Sequence, residues 1–360
     1  MAKKLAFDKV LFTTVVVLLC LGLAMVYSAS AAYAREEGGL SSFVVKQSIA
    51  AVLGMLAMAV IMHLDYRTLR RPLIVYGGVV LVLLLLVAVL FSPEINGTSR
   101  WFVIGGFSFQ PSELAKLALV LFIAYQLDRK LETGSQRSFA LPCVILTGLM
   151  SALILLETDL GTTVLLGAIA VLMLFVAGLD WRWLLGGMAL TLPVMVFQVL
   201  MVPYRKARLL AFLDPSLDPQ ATGYQASQSL IAVGSGGLFG LGPGNSVQKL
   251  YFLPYPHSDF IYSIVSEELG LIGALSVLGL FVVLLWRGVR AGAQAPDILG
   301  RYLAWGFTAM LTIQAFIHMS VVLSLLPTKG IPLPLISYGG SSLLTTMAAC
   351  GVILNVSQHG

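Results

Sequence analysis

Apolar stretches of about 20 residues recur from Val10 almost to the end of this chain, and that length sets the architecture. At ~1.5 Å rise per residue, about 20 residues cross a hydrocarbon core of ~30 Å. Only 11% of the 360 residues are charged and 58% are hydrophobic, with a mean hydropathy of +0.92. Soluble domains carry roughly 25% charged residues, so a soluble fold is excluded. The expected architecture is an all-α, polytopic integral membrane helical bundle, a single transmembrane domain over residues 1–360.

Ten spans fit the pattern, at 10–33, 44–63, 72–92, 113–127, 139–156, 160–178, 183–202, 259–286, 302–326 and 341–358. The first follows Lys3, Lys4 and Lys9 but is longer than the ~7 to 15 apolar residues of a signal peptide, which makes it a retained span. Cys20, Cys143 and Cys350 fall in apolar segments and are odd in number, so they imply neither a disulfide framework nor a metal cluster. The formal net charge of +5 has no soluble basic domain to hold it, and nucleic acid is not an expected partner. With the N-terminus inside, the inner segments hold 13 basic against 6 acidic residues, a balance of +7, and the remaining 9 and 11 leave −2 outside. This bias predicts that both termini are cytoplasmic. Two outer connections exceed simple turns: 93–112, and a large extracytoplasmic loop at 203–258, whose length and Gly and Pro content mark a functional cap.

The fourth, sixth, eighth and tenth spans start at the outer face, and near those starts stand Glu113, Asp159, Asp259 and the pair Ser341 and Ser342. Carboxylates in a first helical turn meet free amides and the positive dipole end, so capping explains each of them singly. Glu113 and Lys116 are three residues apart and can pair on a helix; the pair is either structural or open to substrate. From Asp259, Ser263 and Ser266 fall on one helical stripe, and Glu268 points nearly opposite. His257 beside it reads most simply as a solvated loop histidine. Arg205, Lys206 and Arg208 lie on the side disfavoured for cations, where they either snorkel to headgroups or bind phosphate. Arg100, followed by Trp101, poses the same choice. The glycine-rich run from Gly234 to Gly244 lacks the features of a P-loop and signifies conformational freedom near a ligand.

Five segments carry a family resemblance: NGTSRWFVIGGFSFQPSELAKL from Asn96, ETDLGTT from Glu157, PYRKARLLAFLDPSLDPQATGYQASQSLIAVGSGGLFG from Pro203, HSDFIYSIVSEELGLIG from His257, and LLPTKGIPLPLISYGGSS from Leu325. In this order they resemble the SEDS family (shape, elongation, division and sporulation), and within it the RodA branch. The chain departs from the family pattern at Tyr255, where Glu is usual, at His318 for a common Asn, and at Lys329 for an uncharged residue.

The resemblance implies a peptidoglycan glycosyltransferase of the bacterial cytoplasmic membrane. Such an enzyme polymerises lipid II into glycan at the outer face during cell elongation and releases undecaprenyl pyrophosphate. The partners it implies are a class B penicillin-binding transpeptidase, other cell-elongation proteins, the nascent glycan and membrane lipid. It also implies that Asp259 is the catalytic carboxylate. Arg100, Trp101, Glu113, Lys116, Asp159, Arg205, Arg208, Ser263 and Ser341 are the candidate substrate-binding residues. Neutralisation of a pyrophosphate leaving group could come from Arg205, Arg208, Arg100, Lys116 or a divalent cation, Mg or Mn, for which no ligand set is evident. The alternative classes are a transporter or flippase of a lipid-linked precursor, and a scaffold whose acids only cap helices.

Overall fold

The computed structural model describes residues 7–31, 41–94, 98–104, 107–129, 136–213 and 222–360. Lys3, Lys4, Lys130 and Glu132 of the charge balance, and residues 214–221 of the outer loop, lie outside them. Among the described residues the helices are α1 (Lys9–Ser30), α2 (Ser41–His63), α3 (Pro72–Val89), α4 (Pro111–Asp128), α5 (Gln136–Leu156), α6 (Leu160–Val176), α7 (Trp181–Met201), α8 (Pro203–Leu213), α9 (Thr222–Ser235), α10 (Ile261–Gln294), α11 (Ile298–Val322) and α12 (Gly340–Ser357). A short 3-10 turn at Tyr66–Arg70 joins α2 to α3, and a two-stranded hairpin, β1 (Phe102–Ile104) and β2 (Phe107–Phe109), precedes α4.

Each of the ten expected spans coincides with a helix, and α8 and α9 subdivide the 203–258 stretch. Seven of the described helices are long and apolar enough to cross a membrane. Of the three remaining spans, α4 is more polar, with Glu113, Lys116 and Asp128 in 18 residues, α6 is shorter, with 17, and α7 has 21 with Pro193 inside it.

Polarity decides which helices take the centre. In α11 and α12, 72% and 78% of the spanning stretch is buried, against 28–44% in the other five candidate spans. A helix against lipid tails must be apolar on its outer face, whereas a central one can pair polar side chains within the protein. Accordingly α11 buries Thr308, Thr312, Gln314 and His318, and α12 buries Ser341, Ser342, Thr345, Thr346 and Asn355. Helix α11 packs against α4, α6, α10 and α12, while α12 packs against α2 and α1 against α10.

Helix α10 runs for 34 residues but is broken at Gly270, where φ is 67° and ψ −167°. About 24 residues follow the break, roughly 36 Å of helix, which suffices to cross the bilayer alone. The outer part, from Ile261 to the break, is a half-helix. A break frees backbone groups that lipid cannot satisfy, so they must be buried in protein. Here the glycine-rich run satisfies them: the amides of Leu241 and Gly242 donate to the carbonyls of Glu267 and Glu268 (2.9 and 3.0 Å), and the Leu271 amide donates to the Gly237 carbonyl (2.9 Å). Gly240, at φ 82°, comes so near that a Cβ there would collide with the Glu268 carbonyl. The run is therefore a clasp on the broken helix, where the conformational freedom expected near a ligand serves packing against Glu268 instead.

Glu267 and Glu268 complete the clasp with their side chains. Glu267 accepts from the Ser246 hydroxyl (2.5 Å) and the amides of Val247 and Gln248 (2.9 and 3.3 Å). Glu268 accepts from the Gly244 amide (2.9 Å), the Ser28 hydroxyl (2.5 Å) and the Lys249 ammonium (2.8 Å). Both carboxylates are 1% exposed, so their charge is tolerable only because every oxygen is bonded.

Candidate active site

Asp159 ends the tight turn between α5 and α6 and caps α6. One carboxylate oxygen accepts from the Thr162 amide (2.9 Å), and the other from the Thr162 hydroxyl (2.8 Å) and the Gln110 amide group (3.2 Å). An Arg100 nitrogen lies 3.8 Å from the same carboxylate, and the Arg100 Nε donates to the Thr98 hydroxyl (3.1 Å). The capping expected of Asp159 is thus present, but the group also faces a cation. Thr158, directly before it, is β-branched yet held at φ 64°, a costly conformation that concentrates at functional sites.

The adjacent Glu157 carries a signal that sequence reasoning passed over. It is 1% exposed and neither carboxylate oxygen has a hydrogen-bond partner. Burial, reinforced by the neighbouring charge of Asp159 and opposed by Arg100, pushes its pKa up to about 8. At neutral pH it is a carboxylic acid.

Asp259 stands in the turn before α10, because the helix begins at Ile261. The expected helical stripe from Asp259 through Ser263 is therefore not formed: the Ser263 hydroxyl lies 2.8 Å from that of Ser229, in the packing between α9 and α10. The turn is set by Tyr255, at φ 52°, whose carbonyl accepts from the amides of both Ser258 and Asp259 (3.2 Å each). This gives the departure at Tyr255 a backbone role. The segment before α12 clamps the turn from the other side, with the Ser337 hydroxyl donating to the Ser258 carbonyl (2.7 Å) and the Tyr338 amide to the His257 carbonyl (2.9 Å). His257 is buried against the rings of Phe43 and Tyr338 (centroids at 4.8 and 5.5 Å), which corrects its expectation as a solvated residue. Burial pulls its pKa down to about 4, so it is neutral and supplies no positive charge.

The Asp259 carboxylate faces Gly330, where a Cβ would stand 3.1 Å from Oδ2. Desolvation pushes its pKa up to about 6, against the opposing pull of Arg208, Arg100 and a hydrogen bond from Ser258, while Asp159 adds to the rise. The two aspartates thus share one electrostatic site with two guanidinium groups. A third cation belongs there: Lys329 also feels Asp159, although burial lowers its pKa. Sequence reasoning registered Lys329 only as a departure. Arg208 donates to the Thr328 carbonyl (3.1 Å), which ties the irregular segment of residues 328–332, whose Gly330 meets Asp259, to α8. Arg205 is 9% exposed, donates to Gln198 (2.9 Å), and feels the Asp159 charge. Trp101 is half-buried at the base of the hairpin.

Glu113 and Lys116 pair at 2.9 Å, as their spacing predicts, but they are sealed at 3% and 2% exposure. The ammonium also donates to Gln314 of α11 (2.7 Å), and Glu113 accepts from Thr345 of α12 (3.0 Å). Gln314 in turn donates to the Pro332 carbonyl (2.8 Å), so the cluster ties three helices to the segment that carries Gly330 against Asp259. Ser341, one turn above Thr345, is buried with an unpartnered hydroxyl. Among the described residues no three His, Cys, Asp or Glu side chains stand together as a metal-binding group, so they form no preformed cage for a divalent cation.

Ordered motifs, a helical membrane bundle and a shared aspartate site converge with what is known of other proteins. The FtsW/RodA/SpoVE cell cycle protein family matches residues 8–360. The chain belongs to this family, SEDS. A probable peptidoglycan glycosyltransferase FtsW of Geobacter metallireducens is 46% identical over 360 residues, covering 98% of this chain and 95% of the relative. Stage V sporulation protein E of Bacillus subtilis is 42% identical, covering 99% and 98%. Among solved structures, the rod shape determining protein RodA of Thermus thermophilus has a TM-score of 0.72 at 32% identity, covering 98% and 97%. A chain from a peptidoglycan synthase complex has a TM-score of 0.80 at 34% identity, covering 98% of each chain. This SEDS protein is accordingly a glycosyltransferase of a bacterial cytoplasmic membrane, with multiple spans.

Proposed function

We propose that this SEDS protein polymerises lipid II into peptidoglycan strands at the outer face of the membrane and releases undecaprenyl pyrophosphate. The observation that carries the proposal is the placement of Asp259 in a desolvated turn, within the field of Arg208 and Arg100 and across from Asp159. A carboxylate with a pKa near 6 is ionised at neutral pH yet more basic than a solvated aspartate, which suits a general base. Asp259 takes the proton of the acceptor's 4-hydroxyl as that oxygen bonds to the donor's anomeric carbon. The bond from that carbon to the lipid pyrophosphate breaks, the oxygen keeps the electron pair, and the configuration inverts from α to β. Charge on the departing pyrophosphate is met by Arg100, Arg208 and Lys329, while Arg205, Trp101 and Ser341 border the substrate path. No step requires a metal held by the protein. Glu113 and Lys116 act from beneath, holding α4, α11 and the 328–332 segment together.

The similar chain in a peptidoglycan synthase complex supports a class B penicillin-binding transpeptidase as partner. Against transport or flipping, the charges of the site, Asp159, Asp259, Arg100 and Arg208, gather around the starts of α6 and α10 and not along a path through the bundle. Relatives named FtsW and stage V sporulation protein E are 46% and 42% identical and a RodA is 32% identical, so the comparisons assign the family without separating the elongation role expected from the sequence from one in division.

The test is polymerisation by the purified protein with defined lipid II, with and without its transpeptidase, resolved on a gel. Asp259→Asn preserves shape but cannot accept a proton, and is expected to lower polymerisation by about 10²- to 10⁴-fold without loss of folding. Glycan synthesis near the parental rate by well-folded Asp259→Asn would remove Asp259 from the chemistry.

A further inference from the structure

At the far end of α10 from Asp259, a cavity of about 340 Å³ opens between the start of α1, the last turns of α10 and the end of α12. Its volume falls within the ~300–1,000 Å³ of ligand pockets. The ~24 residues of α10 beyond Gly270 put roughly 36 Å between it and the active site, so it belongs to a separate surface. Three cations line it, Lys9, Arg287 and Arg290, with Asp8, Gln294 and Ser357.

Asp8 is already committed. Its Oδ2 accepts from Nε of Arg287 (2.6 Å) and is ion-paired with Nη2 (2.6 Å), its Oδ1 accepts from the Leu11 amide (3.0 Å), and its own amide donates to Ser357 (3.2 Å). That network fixes the floor of the cavity and neutralises Arg287. Lys9 and Arg290 remain, both exposed and without a carboxylate partner among the described residues. The Arg287 guanidinium lies 5.3 Å from the ring centroid of Trp286, which is 58% exposed where the spans end, the usual depth of interfacial tryptophan. A basic recess between span ends, at headgroup depth, fits a phosphate ester.

We propose that this cavity binds the phosphate-bearing headgroup of an anionic phospholipid, with Lys9 and Arg290 contacting the phosphate and the Asp8–Arg287 pair shaping the site. The acyl chains would extend along the apolar surface below Trp286. Free phosphate esters share the chemistry but lack that anchoring.

Native mass spectrometry of the full chain in detergent, titrated with phosphatidylglycerol or phosphatidylcholine, tests this. Each cation at an anionic surface contributes about fivefold, so Lys9→Gln/Arg290→Gln is expected to weaken phosphatidylglycerol retention about thirtyfold. Both residues are exposed, so folding is retained, and circular dichroism checks it. Arg71→Gln, an exposed cation at the same end of the bundle, is expected to change retention less than twofold. Unchanged retention in the double variant, or an equal loss in Arg71→Gln, would overturn the site. Equal retention of phosphatidylcholine would overturn recognition of anionic charge, and full displacement by soluble glycerol phosphate would overturn the lipid as its source.

Discussion

Replacing Lys116 by Met keeps the length of the side chain and removes its charge at a position 2% exposed. Two bonds vanish, to Glu113 at 2.9 Å and to Gln314 at 2.7 Å, and Glu113 is left with the Thr345 hydroxyl as its one remaining partner. Stranding a buried charge in this way costs about 3–5 kcal/mol, a large share of the ~5–15 kcal/mol that holds a typical protein folded. Removing both charges is far cheaper, because no unpaired charge is left buried. Glu113→Gln/Lys116→Met is therefore expected to regain most of the loss, to within about 1 kcal/mol of the parent. Unfolding in lipid nanodiscs, followed by the fluorescence of the five tryptophans, measures all three proteins. A single variant as stable as the parent, or a double variant no better than the single one, would refute the assignment. The double variant also separates structure from substrate binding. If it is stable yet makes no glycan, the charges act on substrate and the positioning role is wrong.

Three further outcomes follow from the site. The acid limb of kcat/KM is expected near pH 6, because Asp259 must be ionised to accept a proton and its raised pKa places that loss there. The folded fraction should be monitored in parallel: His257 is buried neutral, with a folded pKa of about 4 against an ordinary 6.5, so it subtracts stability as pH falls from 6.5 towards 4. Arg208→Ala should lower kcat/KM for lipid II by about tenfold or more and move the acid limb upward, since a cation favouring the Asp259 carboxylate is lost; a limb that moves downward contradicts this. Gly240→Ala, which combines φ 82° with a collision against the Glu268 carbonyl, should destabilise the clasp by about 1–3 kcal/mol and expose residues 236–248 to protease; undiminished protease resistance would show that the clasp yields.

Features with local causes were legible in the sequence. Each span shows as an apolar run, Asp159 as a cap, and Glu113 with Lys116 as neighbours on one helix face. Features made by distant segments were not. Gln314 completes the Lys116 site from 198 residues away, and nothing near Lys116 announces it. Ser263 misled because a stripe drawn from Asp259 assumes that the helix already includes it, whereas Tyr255 turns the chain and delays the helix to Ile261. His257 looked solvated because Phe43 and Tyr338, which enclose it, come from opposite ends of the sequence. Glu157 and Lys329 differ in kind. An acid beside a cap and a cation in an otherwise apolar motif were visible, but their meaning depended on seeing Asp159 between them.

The break at Gly270 also bears on how the protein is made. An unbroken helix from Ile261 would ask the insertion machinery to accept Glu267 and Glu268 as part of a span, at a cost of about 2.5–3.5 kcal/mol for each charge that reached the bilayer centre. With the break, the ~24 residues from Leu271 suffice to cross the bilayer, so neither acid need enter its centre. In the folded protein Glu268 is sealed by Lys249 and by Ser28 of the first span, and Glu267 by Ser246, Val247 and Gln248. Insertion and site assembly become successive events. The second cannot finish until Ser337 and Tyr338, which clamp the aspartate turn, have emerged, and by then most of the chain has been synthesised.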